Sequence, residues 1–230
     1  MMKILLVAAT WMEVNLVAED LGPGEEKSHL LKSYHLGETT VDILVTGIGT
    51  VFSTFHLTNV LRDQQYDWVL NIGIAGSLTD KLKIGEVVAV VSDEFADLGV
   101  ETPTEFLTLF EAGFVNGNDY PFENGALSTD NFLPEGPSLR KVRGITANTT
   151  HHQVGSIDKI KSKFSAYVES TEGAAVLYVC RWMGVNCFQI RAISNFVETT
   201  DISTWNIPLA LENLQKTIRA VLQSVAVRVH

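Results

Sequence analysis

The sequence predicts an α/β fold: one domain whose helices flank a largely parallel or mixed sheet. Three observations carry that prediction. Short apolar runs of strand length alternate with helical stretches along the chain. Several of those runs are continuously apolar, as in strands covered on both faces. The chain has 230 residues with 46% hydrophobic content, which suits one large domain with a substantial core.

The elements follow in order. Residues 3–9 form a buried strand and 10–20 a helix, stopped at Gly22, Pro23 and Gly24. Runs at 30–36 and 41–46, joined at Gly37 and Glu38, read as a hairpin. The turn Gly47-Ile48-Gly49 leads into a helix at about 51–61, and a strand at 68–72 ends in a glycine-rich turn at 73–77. Gly85 introduces a strand at 86–92. Residues 95–137 lack periodicity and carry several Gly, Pro and Phe, as expected of a lid or an interface. A strand at 141–147, a polar stretch at 148–152 and a short helix near 156–164 follow. The stretch 168–195 reads as a turn with an acidic residue, a helix at 172–183 ended by Gly184, and a strand at 186–193. Ser194 and Asn195 then fall where the strand leaves the sheet, the place where open α/β sheets bind ligands. An amphipathic helix at 208–227 closes the chain, its proline in the first turn.

Composition narrows the function. The formal net charge is −10, without the Lys and Arg clusters that neutralise phosphate backbones. No nucleic acid and no membrane surface is therefore expected as a partner; a small molecule is. The apolar run after Lys3 is short for a signal peptide and Glu13 follows it closely, and no later run could span a bilayer. Cys180 and Cys187 lie among apolar neighbours, as buried free thiols of a cytoplasmic protein would. There is no metal-ligand spacing. The turns at 47–49 and 73–76 match neither G-x-G-x-x-G nor a P-loop, so no cofactor is expected.

A few polar residues could carry chemistry. Glu13 stands three residues after Thr10, the spacing of a capping box, and equally at the exit of the first strand, where it could take a proton from water. Spacing alone favours the cap. Glu172 opens a helix whose dipole favours its ionised form; its two oxygens could accept from neighbouring hydroxyls such as those of a ribose. Asn195 could cap a turn, or its amide could read a purine edge. His152 and Gln153 could supply stacking and a second amide.

Together, Glu13, TGIGTV at 46–51, NIGIAGSL at 71–78, VESTEGAA at 168–175 and RAISN at 191–195 resemble the nucleoside phosphorylase and nucleosidase superfamily along essentially the whole chain. The resemblance implies a single domain spanning 1–230 around a twisted mixed sheet, assembled as a homodimer or higher homo-oligomer, that cleaves N-glycosidic bonds of nucleosides. It implies Glu13 as the base activating water, Glu172 as the acceptor of the ribose hydroxyls, Asn195 as the residue facing purine N7, and His152 with Gln153 as the wall around the base. Thr171, Ala75 and Gly76 fall beside these and are expected to line the substrate.

Two departures sharpen it. Phosphorylases commonly carry an arginine before the glycine turn, where this chain has Asn71, so water is the expected nucleophile. Adenine-cleaving methylthioadenosine nucleosidases usually read RAISD, whereas Asn195 suits a 6-oxopurine. Within the superfamily, ESTEGAA, SNFVE and FADLGVE look most like futalosine hydrolases, which release hypoxanthine in a menaquinone pathway. The alternatives are a methylthioadenosine/adenosylhomocysteine nucleosidase and a non-catalytic nucleoside-binding protein. Two residues depart from the expected pattern: Thr171 replaces the methionine usual before the ribose glutamate, and Ile74 replaces a polar residue of adenine-type nucleosidases.

Overall fold

The computed structural model describes residues 2–129, 137–150, 154–197 and 202–226. Strand β1 (Lys3–Ala8) shows why its sequence is apolar from Ile4 onward. Ile4, Leu6 and Ala8 pack with helices α1 (Trp11–Leu21) and α5 (Ile207–Ala226) on one face. Leu5 and Val7 pack with α2 (Thr50–Asp63) and α4 (Gly173–Met183) on the other. The remaining strands of the main sheet are β2 (Glu25–Ser28), β3 (Leu31–Leu36), β4 (Thr39–Val45), β5 (Trp68–Ser77), β6 (Val87–Phe95), β9 (Leu127–Ser128), β10 (Arg140–Thr146), β11 (Val168–Ser170) and β12 (Asn186–Phe196). The sheet is mixed, as expected: β4, β1, β5 and β12 run parallel, and β12 meets β6 antiparallel.

The strand order is β11-β10-β6-β12-β5-β1-β4-β3-β2, and β11 also pairs with β5. That extra pairing, Val168 to Ser77 and Glu169 to Gly76, closes five strands into a ring. Ala75, Val88, Val90, Val142, Val168 and Ile193, one or two from each of the five, pack together with Leu82. Helix α3 (Val154–Lys163) covers Ile145 and Ala147 through Ile157 and Ile160.

Several sequence-based boundaries change. The glycine run at 73–77 is not a turn; it continues β5 to Ser77, paired with β12 throughout. Likewise Ser194 and Asn195 lie within β12, which runs to Phe196, with a bulge between Ile193 and Asn195. The bulge re-aims side chains at a strand end. The acidic turn before α4 contains β11, and Glu172 is the N-cap of α4, not its first residue. In the irregular region, β7 (Gly99–Glu101) pairs with β8 (Phe106–Thr108) and β9 joins β6.

Candidate active site

Because β1, β4, β5 and β12 are parallel, their carboxyl ends open on one side of the sheet. Glu13 enters that opening from the first turn of α1 and is buried. Its Oε2 accepts from the Thr10 N–H (3.0 Å) and hydroxyl (3.2 Å), and its Oε1 from the Ile74 N–H (3.0 Å). One oxygen thus closes the helix start while the other faces β5. Burial pushes the Glu13 carboxyl above its ordinary range, opposed by the Arg191 guanidinium and the Ile74 N–H, with Glu172 adding a smaller upward push. A buried carboxylate so poised is suited to accepting a proton.

Arg191 was missed as a site residue. It sits in the middle of β12, 1% exposed, and its Nε and Nη2 have no hydrogen-bond partner among the described residues. Gly73 makes room for it: a Cβ there would collide with Arg191 Nη1 and Glu13 Oε1. A buried guanidinium whose Nε and Nη2 lack hydrogen-bond partners is expensive even beside the Glu13 and Asp93 charges, and such expense concentrates at functional sites. The available signal was an arginine in an otherwise apolar strand.

Glu172 is buried at the start of α4. Its Oε1 accepts from the Gly49 N–H (2.8 Å) and from the Thr171 hydroxyl. Gly49 has a φ of 100°, a backbone conformation that side chains disfavour, which is why TGIGTV carries glycine there. The turn is tied on its outer side by Asn148, whose Oδ1 accepts from the Thr50 N–H (3.0 Å) and hydroxyl (2.8 Å) and whose own N–H donates to Asp97 (2.6 Å). Asn148 and Asp97 were not singled out from the sequence.

Asn195 is buried, and its amide is held on both sides. Ser194 donates its hydroxyl to Asn195 Oδ1 (2.8 Å), and Asn195 Nδ2 donates to the Phe196 carbonyl (3.2 Å). One amide hydrogen and one oxygen lone pair remain for a ligand. Gly76 pairs with Asn195 and lies against its amide, while Ala75 pairs with Ile193 and its side chain packs inside the ring. Thr171 meets Glu172 as described. His152 and Gln153 lie outside the described residues. Asn71 is buried inside β5, below Gly73, where it presents no charge to an anion.

Beneath these groups Asp93 is fully buried, and that burial lifts its carboxyl from 3.8 to about 6 against the hydrogen bonds of Gln189 and Thr146 and the charge of Arg191. A raised carboxylate contributes stability that is present below its unfolded value and is lost as pH rises toward the folded one. Asp93→Asn escapes that loss. Between pH 4 and pH 7 its unfolding free energy should gain on the wild type by about 3 kcal/mol at most, read by denaturant titration at both pH values. A difference that does not change with pH would contradict the assignment.

A model of the phosphorylase superfamily matches residues 3–223. The chain belongs to the phosphorylase superfamily. Among its curated relatives, the futalosine hydrolase of Acidothermus cellulolyticus is 28% identical over 224 residues, covering 95% of this chain and 90% of that protein. The 5′-methylthioadenosine/S-adenosylhomocysteine nucleosidase of Tolumonas auensis is 28% identical, covering 97% and 100%. The solved futalosine hydrolase of Helicobacter pylori superposes with a TM-score of 0.81 at 19% identity, covering 96% and 97% of the two chains, and so shares the fold.

Proposed function

We propose that this superfamily member hydrolyses the N-glycosidic bond of futalosine, releasing hypoxanthine and leaving dehypoxanthine futalosine, a step of menaquinone biosynthesis. The observation that carries the reading is the Asn195 amide, pinned by Ser194 and Phe196. Its free N–H donates to a 6-oxo group and its oxygen accepts from a protonated N7, the pattern of a departing 6-oxopurine. Glu172, already held by Gly49 and Thr171 through Oε1, offers its other oxygen to the ribose hydroxyls. Glu13 takes the proton of the attacking water, next to the Arg191 guanidinium. Thr171, Ala75 and Gly76 line the bound nucleoside.

Incubation of the purified protein with futalosine, inosine and methylthioadenosine in phosphate-free buffer tests this. Release of hypoxanthine from futalosine is expected; release of adenine alone, or a requirement for phosphate, would overturn it. The second reading, a methylthioadenosine/adenosylhomocysteine nucleosidase, is favoured by the equal identity of the Tolumonas relative.

The reading includes a cytoplasmic homo-oligomer. Cys180 and Cys187 are buried free thiols, in keeping with a reducing compartment, and no described helix is long and apolar enough to cross a membrane. Val51, Phe55, Leu98 and Tyr120 are exposed around a groove of about 800 Å³ between α2 and the irregular segment. Such an apolar surface beside the site suits a second copy of the chain. Phe55→Asp should convert the assembly to monomer in sedimentation, with loss of most activity; an unchanged sedimentation coefficient would exclude that face.

A further inference from the structure

An N-cap residue ordinarily turns its side-chain oxygen back onto the N–H groups of its own helix. Glu172, the N-cap of α4, makes no such bond; its carboxylate points across to Gly49. The helix start is satisfied from elsewhere. The Thr146 hydroxyl, at the end of β10, accepts from the Ala174 N–H (2.8 Å), and the Ser170 hydroxyl accepts from the Gly173 N–H (3.3 Å). Thr146 in turn donates to Asp93 Oδ1 (2.9 Å), whose Oδ2 accepts from Gln189 Nε2 (3.0 Å). Thr146, Asp93 and Gln189 are each at most 1% exposed. Gly173 packs directly on them, since a Cβ at that position would collide with Asp93 Oδ2.

We propose that Thr146, oriented by Asp93, is a positioning residue: a substitute cap lent to α4 by a neighbouring strand, which leaves the Glu172 carboxylate free to receive the sugar hydroxyls. Asp93 can only accept when ionised, so it fixes the direction of the Thr146 O–H and turns the hydroxyl's lone pairs to Ala174. Without that hydroxyl the Ala174 N–H would be buried without an acceptor. As the N-cap residue, Glu172 can replace it by swinging back onto its own helix and away from the ligand, whereas Asp93 Oδ2 stays held by Gln189. The inference rests on Glu172 being the ribose acceptor.

The test compares kcat/KM for futalosine and its 3′-deoxy analogue in the wild type, Thr146→Val and Thr146→Ser. The wild type should prefer the 3′-hydroxyl. Thr146→Val should lose about tenfold on futalosine and stay within about twofold on the deoxy analogue, while Thr146→Ser keeps the wild-type preference. Should Thr146→Val not fold, Thr146→Cys, a weaker acceptor of similar size, should show a smaller loss with the same selectivity. Equal losses on both substrates, or none on either, would overturn the positioning role. A wild type indifferent to the 3′-hydroxyl would instead overturn the sugar-binding reading of Glu172, and this inference with it.

Discussion

Glu13→Gln should lower kcat by about 100-fold or more while KM for the nucleoside stays within about threefold. The geometry explains both halves of that expectation. Glu13 receives N–H donors on both oxygens, from Thr10 on one and Ile74 on the other. A glutamine must present its own NH₂ to one of these donors, so one bond becomes a clash of hydrogens and stability falls by about 1 kcal/mol. That loss reports the cap. The larger effect reports the base, because an amide cannot accept the proton of water at neutral pH. Steady-state kinetics with a parallel thermal melt separates the two, and a variant that melts earlier but turns over normally would leave Glu13 only its structural role. The pH profile should agree. Since burial holds the carboxyl above its ordinary 4.5, the acid limb of the rate should fall off at a higher pH than a surface glutamate would give.

Asn195→Asp should move base preference from hypoxanthine toward adenine by about 100-fold in the ratio of kcat/KM values. A carboxylate at this position has no hydrogen to give a 6-oxo group and would face the Phe196 carbonyl, now 3.2 Å from the amide nitrogen. The acid form has one hydrogen, which it can give to N7 while its other oxygen accepts from a 6-amino group. Ser194 can donate to either form, so the side chain should keep its place. Competition assays with futalosine and methylthioadenosine in one vessel give the ratio directly. Unchanged selectivity would remove the reason for preferring a 6-oxopurine over the adenine nucleosides of the related nucleosidases.

The parts of this fold that were legible in the sequence are those whose signal is local. Strand β1 shows its double burial as an unbroken apolar run, and α4 shows its end in Gly184, whose φ of 66° a helix terminus needs. What escaped depends on partners distant in the chain. The four residues of β2 are all exposed and carry no alternation, and the three of β11 are too few to show a period. The glycines of β5 resemble a turn because their reason for being small is a contact with Glu13 and Arg191, far away in sequence. The same holds within the site. Glu13, Glu172 and Asn195 stand at element ends, where polar residues draw attention. Arg191 and Asp93 lie inside strands, and only the three-dimensional neighbourhood shows why a core would tolerate them.

The pairing of β11 with β5 has a consequence for how the molecule is made. Val168 and Glu169 must find Ser77 and Gly76 across most of the intervening chain, a non-local closure of the kind that slows folding. Glu172 lies two residues past the end of β11, whereas Asn195 is carried by the strand beside β5. A nascent chain can therefore collapse, form its helices and bury β1 while Glu172 and Asn195 are still apart. Recovery of turnover after dilution from denaturant should then trail recovery of helical circular dichroism, so that the catalyst itself becomes a clock for the last closure of its scaffold.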